Sequence, residues 1–370
     1  MTTTATAASD HQAVSADVPP ERRRAGQLVI RGATAALVLV TAVQILSVAG
    51  VIGIGFSTWF PILVAYVLWS IALCWGLVLR DGEAGWRALF ILPAVLFTVA
   101  LVIFPTVFGL FIAFSEWNLS STSGRTFNGL ANFYQLMADE YFWNALLNMV
   151  FYVATVLVQY AIAFGLALLL NADIKAQKFF RVAFLLPFML SPVAVSWMIG
   201  KSMLEFRFGP VTNLLRWFGW ENPSLLTSPW LAKITIAFMD AWVWIPFMMI
   251  MILAGLQALS KEVQEAARVD GATGWQGFWQ ITFPLMLPVS VTTIVLRIIF
   301  QLKLADIVIN TTSGGPGGAT DTVSSYIFRV YKDRSTVGYG TMIAEVYLII
   351  IIVFLALLLK FTSKYMQRVT

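Results

Sequence analysis

Eight apolar stretches alternate with polar turns along the chain: Leu28 to Ile54, Trp59 to Leu79, Ala88 to Phe114, Ala145 to Leu170, Val182 to Met203, Leu231 to Leu256, Leu285 to Leu302 and Met342 to Leu359. Each comes close to or exceeds the about 20 apolar residues that cross roughly 30 Å of hydrocarbon at 1.5 Å per residue. Lipid offers backbone N–H and C=O groups no partner, so each span must satisfy its own hydrogen bonds as a helix. The short alternating segments of a β-barrel are absent from the pattern. The prediction is an all-α membrane protein with about eight transmembrane helices.

Composition agrees, with 59% hydrophobic and 12% charged residues and a mean hydropathy of +0.80, values foreign to an ordinary soluble domain. Lys and Arg resist translocation and mark the cytoplasmic side. With the N-terminus inside, the inner segments hold Arg22, Arg23, Arg24, Arg80, Arg87, Lys175, Lys178, Arg181, Lys261, Arg268, Lys360, Lys364 and Arg368. Both termini are then cytoplasmic. Arg125, Arg207, Arg216, Arg329, Lys332 and Arg334 fall outside, mostly in longer loops where the bias is weak. Topology thus accounts for the net charge of +5, and no basic run interleaved with stacking aromatics points to nucleic acid.

Residues 1–27 read as a disordered cytoplasmic tail, and residues 28–80 as an N-terminal transmembrane hairpin that is not a cleaved signal, because a second span follows at once. The single cysteine, Cys74, can form no intramolecular disulfide, and with His11 it cannot supply a metal site.

Between the sixth and seventh stretches lies a cytoplasmic loop, residues 260–284. It reads Glu265-Ala266-Ala267-Arg268-Val269-Asp270-Gly271, then nine residues, then Ile281-Thr282-Phe283-Pro284. A short helix starting near Lys261 should stop at Gly271, which tolerates the left-handed conformation of a helix end. Thr273 and Gln276 have the spacing of a capping box for a second helix, after which Pro284 returns the chain to the membrane. Ala266 and Ala267 keep one helix face low, and Glu265 and Asp270 offer carboxylates to a basic partner.

This loop resembles the EAA loop of the integral-membrane permease subunits of binding-protein-dependent ABC importers, with Phe283 where that family prefers Leu. Further matches follow in order: Phe114-Ser115-Glu116-Trp117-Asn118, Gly129-Leu130-Ala131-Asn132-Phe133, Leu168-Leu169-Leu170-Asn171, Arg181 with Leu186-Pro187, and Ala254-Gly255-Leu256-Gln257. Thr312-Ser313-Gly314-Gly315-Pro316 resembles a segment typical of the carbohydrate-uptake type. The resemblance implies the type I importer permease fold, with a six-helix core over residues 81–370 behind the extra hairpin. It also implies a bacterial plasma (inner) membrane location. Glu265, Ala266, Ala267, Asp270 and Gly271 would couple the chain to its ATPase. The implied partners are a second permease subunit, two ABC ATPase subunits and an extracytoplasmic solute-binding protein.

Charges within spans are costly and mark cavities or partners. Asp240 and Arg297 stand near the middles of the spans flanking the loop, at depths where they could pair. Trp244 and Phe247 follow Asp240 at helical spacing, as Phe300 and Gln301 follow Arg297. Aromatic faces with a few hydrogen-bonding groups suit a sugar, so these six residues are the expected solute path, although an Asp–Arg pair could equally lock two helices together. Asn148, Gln159 and Lys303 are secondary candidates. Gly314 to Gly318 read as a tight external turn, either facing the binding protein or serving as a plain linker.

No GxxxxGK[ST] phosphate loop and no catalytic constellation occur in the sequence. The chain is therefore expected not to be an enzyme and to bind no cofactor, with ATP and Mg on the partner ATPase. Two alternatives are an importer permease for a non-sugar solute and an ion-coupled secondary carrier. The carrier lacks the internal repeat it should show.

Overall fold

The computed structural model describes residues 18–48, 52–122, 124–172 and 174–366, which are predominantly helical. In chain order the elements are α1 (Pro20–Val48), α2 (Phe60–Asp81), α3 (Glu83–Ala113), β1 (Ser115–Glu116), β2 (Thr126–Phe127), α4 (Ala131–Met137), α5 (Glu140–Asn171), α6 (Gln177–Met189), α7 (Pro192–Met203), α8 (Pro210–Trp217), α9 (Pro229–Ala258), α10 (Lys261–Val269), α11 (Gly274–Gln301), α12 (Asp306–Thr311), α13 (Val323–Lys332) and α14 (Val337–Met366). β1 and β2 pair antiparallel. Among the described residues seven helices are long and apolar enough to cross a membrane: α1, α2, α3, α5, α9, α11 and α14.

The expected span Val182 to Met203 is not one helix. It is the pair α6 and α7, bent by 93°, which raises the number of spans to eight if counted as one. Leu190 and Ser191 are extended at the break, and the Ser191 hydroxyl accepts from Ala194 N at 3.2 Å to start the second helix. Pro192 enforces this, because a residue before proline is driven out of the helical region.

Other prolines are absorbed without a break. In α3 and α11, π-helical turns at Val99–Ile103 and Phe278–Thr282 lead up to Pro105 and Pro284. Such a turn relieves the clash of the proline ring with the preceding carbonyl. As a result α11 begins at Gly274 instead of Leu285, and the second loop helix runs directly into the membrane span.

The chain divides into two compact units between Phe108 and Gly109, inside α3 and later than the expected division after residue 80. In the first unit, α1 starts at Pro20, so residues 20–27 are helical instead of forming a disordered tail, while residues 1–17 lie outside the described residues. Gly26 and Gly76 let α1 and α2 approach closely, since a Cβ on Gly26 would lie 2.6 Å from the Gly76 carbonyl oxygen. Gln44 closes the hairpin, donating to Phe56 O at 3.1 Å and accepting from Phe56 N at 2.8 Å. Tyr66 Oη donates to Leu96 O at 2.7 Å and ties α2 to α3.

The second unit is centred on α5 and α9, with α11, α13 and α14 packed around them through Met149, Val156, Met248, Ile252, Met286, Tyr326 and Ile343, all buried. Asn132 Nδ2 donates to the carbonyls of Ala113 at 2.7 Å and Ser115 at 2.9 Å. Those bonds satisfy acceptors at the C-terminal end of α3 and explain why an Asn belongs there.

Candidate functional site: a buried ion pair and an exposed loop

Asp240, Arg297 and Gln159 project from α9, α11 and α5 into one buried junction, with residue exposures of 1%, 0% and 2%. Arg297 Nη2 bonds Asp240 Oδ2 in a salt bridge. Gln159 Nε2 donates to the same oxygen at 3.2 Å, and its Oε1 accepts from Arg297 Nε at 3.0 Å. The pairing anticipated from depth alone is thus present, and the secondary candidate Gln159 completes a three-helix network. A buried pair survives where its remaining polar atoms are also bonded. Here one is not: Arg297 Nη1 is buried without a hydrogen-bond partner. The fully buried Gln301 amide reaches toward Asp240 without closing a hydrogen bond of ordinary geometry.

Aromatic rings cover this centre. Trp244 stacks on Phe300 with centroids 4.6 Å apart, and Phe247 meets both edge-on at 5.9 and 6.0 Å. The Arg297 Cζ lies 5.0 Å from the Trp244 ring centroid, within cation–π range. The six expected path residues therefore share one site.

Phe188 of α6 joins them, 5.7 Å from both Trp244 and Phe247. It carried no sequence signal, because its partners are rings of α9, far along the chain from it. The other two secondary candidates lie elsewhere. Lys303 is exposed in the turn after α11. Asn148 Nδ2 donates to Gly318 O at 3.1 Å and Asp321 O at 2.9 Å, so it holds the loop between α12 and α13.

That loop is built around Asp321, whose importance the sequence did not announce. Its carboxylate bonds Arg329 and accepts from Ser325 Oγ at 3.0 Å. A Cβ on Gly314 would stand 2.1 Å from Asp321 Oδ1, and Gly314 has a φ of +82°. Burial pushes the Asp321 carboxyl above its ordinary range, against the opposing pull of Arg329.

The loop between α9 and α11 has the predicted form. Gly271 has a φ of +78°, Ala272 N bonds Ala267 O at 3.0 Å, and Asp270 N bonds Ala266 O at 2.9 Å. This is a Schellman-type helix end with Gly at the left-handed position. Thr273 Oγ1 accepts from Gln276 N at 3.3 Å, while Gln276 Oε1 accepts from Thr273 N at 2.9 Å, closing the capping box. Glu265, Ala266 and Asp270 are exposed and Ala267 is half-buried. Val269 and Trp275 remain 87% and 72% exposed, an apolar surface beside two carboxylates.

Residues 136–367 match the family described as binding-protein-dependent transport system inner membrane component. The chain belongs to that family. It is accordingly a multi-pass membrane subunit of a transporter and not an enzyme. The match takes in α5 through α14, and with them the ion pair and the loop. The lactose transport system permease protein LacF of Rhizobium radiobacter is 34% identical over 77% of this chain and 94% of its own length. The trehalose/maltose transport system permease protein MalF of Thermococcus litoralis is 30% identical over 76% of this chain and 94% of its own length. In fold, the permease is similar to a bacterial ABC transporter involved in the import of alginate, with a TM-score of 0.65, 24% identity, and coverage of 80% of this chain and 99% of that one.

Proposed function

We propose that this permease passes a sugar or sugar derivative inward by alternating access, driven by ATP hydrolysis on partner subunits that dock on the loop 260–284. The observation that carries the reading is where that loop sits. α9, which ends before it, holds Asp240, and α11, which grows out of its capping box, holds Arg297. A displacement of the loop therefore moves both halves of the buried pair.

Glu265 and Asp270 offer charge to a basic groove, Ala266 and Ala267 let it approach the backbone, and Gly271 sets the turn. The partners of this reading are two ABC ATPases carrying ATP and Mg, a second permease, and an external solute-binding protein, with both termini of this chain cytoplasmic. The half-exposed rings of Phe188 and Phe300, with Trp244 and Phe247, form one wall of the path, completed by the second permease. The sugar-transport names of the relatives support the solute class.

The test is Glu265→Lys in the native membrane. The variant should reach the membrane in normal amount yet lose its co-purifying ATPase and its uptake. Normal uptake and a retained ATPase would sink the docking role.

A further inference from the structure

The charges at the centre of the site add to zero. Asp240 and Arg297 cancel, Gln159 and Gln301 are neutral, and the surrounding side chains are aromatic. No other charged side chain acts on either partner. The buried polar atoms left without a partner at this centre are the Gln301 amide and Arg297 Nη1, and of these only Arg297 Nη1, behind the Trp244 ring, belongs to a charged group. A buried donor without an acceptor is destabilising, so a ligand that supplies the acceptor is bound favourably.

Two kinds of solute oxygen can fill that position. A carboxylate or phosphate accepts from Nη1 but brings a charge close to the Asp240 carboxylate, in a site with no second cation to offset it. A hydroxyl accepts from Nη1 and can donate to Asp240, and it adds no charge. The rings of Trp244, Phe247 and Phe300 suit the C–H faces of such a molecule.

We propose that the site selects an uncharged, hydroxyl-rich sugar, and that Asp240 is the specificity-determining residue that excludes anionic sugars. This rests on the reading that these residues line the solute path. It narrows that reading to a charge class.

The experiment uses the complete importer purified in nanodiscs without its binding protein. It is titrated by tryptophan fluorescence with maltose, trehalose and lactose, and with glucuronate and galacturonate. At least one neutral sugar should give a saturable change that disappears in Trp244→Phe, with the anionic sugars about tenfold weaker or more. Asp240→Asn, which leaves the centre with a net positive charge, should remove or reverse that preference. Gln301→Lys adds the same charge with the pair intact and should act alike if Asp240→Asn fails to assemble. Anionic sugars binding wild type as well as neutral ones, no response to any sugar, or unchanged selectivity in the variants would overturn the proposal. A preparation with no ATPase subunit would instead overturn the importer reading itself.

Discussion

Asp240 and Arg297 depend on each other more than on any other group. Truncating Asp240 to Ala leaves a fully buried guanidinium without its counter-charge, and breaking such pairs costs about 3–5 kcal/mol. A lower thermal midpoint in detergent is therefore expected for Asp240→Ala, with most of the loss recovered in Asp240→Leu combined with Arg297→Met. Uptake should stay impaired in both. A double variant that regained transport would show the pair to be a helix lock only. Gly314 is the second position where one atom decides. A methyl there collides with the Asp321 carboxylate and must adopt a positive φ, so Gly314→Ala should lower stability by about 1–3 kcal/mol from backbone strain alone. The melting curve of the purified complex checks this.

At the scale of elements, the loop helix α10 matters through its end. Gly271→Val removes the residue that tolerates a φ of +78° and should re-aim α10 without unfolding α9 or α11. The expected outcome is a chain present in the membrane that binds the ATPase weakly, measured by co-purification. The loop was legible in sequence because its turn depends on local interactions: a glycine, a Thr and Gln three apart, and a proline. The break between α6 and α7 was less so. Hydropathy averages over a window and passes through Leu190 and Ser191 unchanged, although Pro192 marked the place. The π-turns before Pro105 and Pro284 also escaped the apolar pattern, because they alter backbone pairing and leave composition untouched.

For the whole molecule, the family match begins at residue 136, and the first compact unit ends at Phe108. The ion pair, the aromatic wall and the loop all belong to the second unit. Deleting residues 1–80 should therefore leave a chain that still inserts and still co-purifies with the ATPase, detected by size-exclusion chromatography and ATPase assay. Loss of assembly in that deletion would make the hairpin part of the coupling machinery.

What the sequence by itself determined was governed by short-range or bulk physics: the number of apolar spans, the placement of Lys and Arg, the caps of the loop, and the presence of an acid and a base at matching depths. Tertiary structure decided which groups meet. Gln159 and Phe188 come from α5 and α6, far along the chain from Asp240, and neither carries a local signature of its partners. Asp321 is important because a glycine loop folds over its carboxylate, which Arg329 and Ser325 bond from the next helix. Contacts between distant segments depend on how helices bend and cross, and the unpartnered Arg297 Nη1, on which the proposed selectivity turns, exists only once those crossings are made.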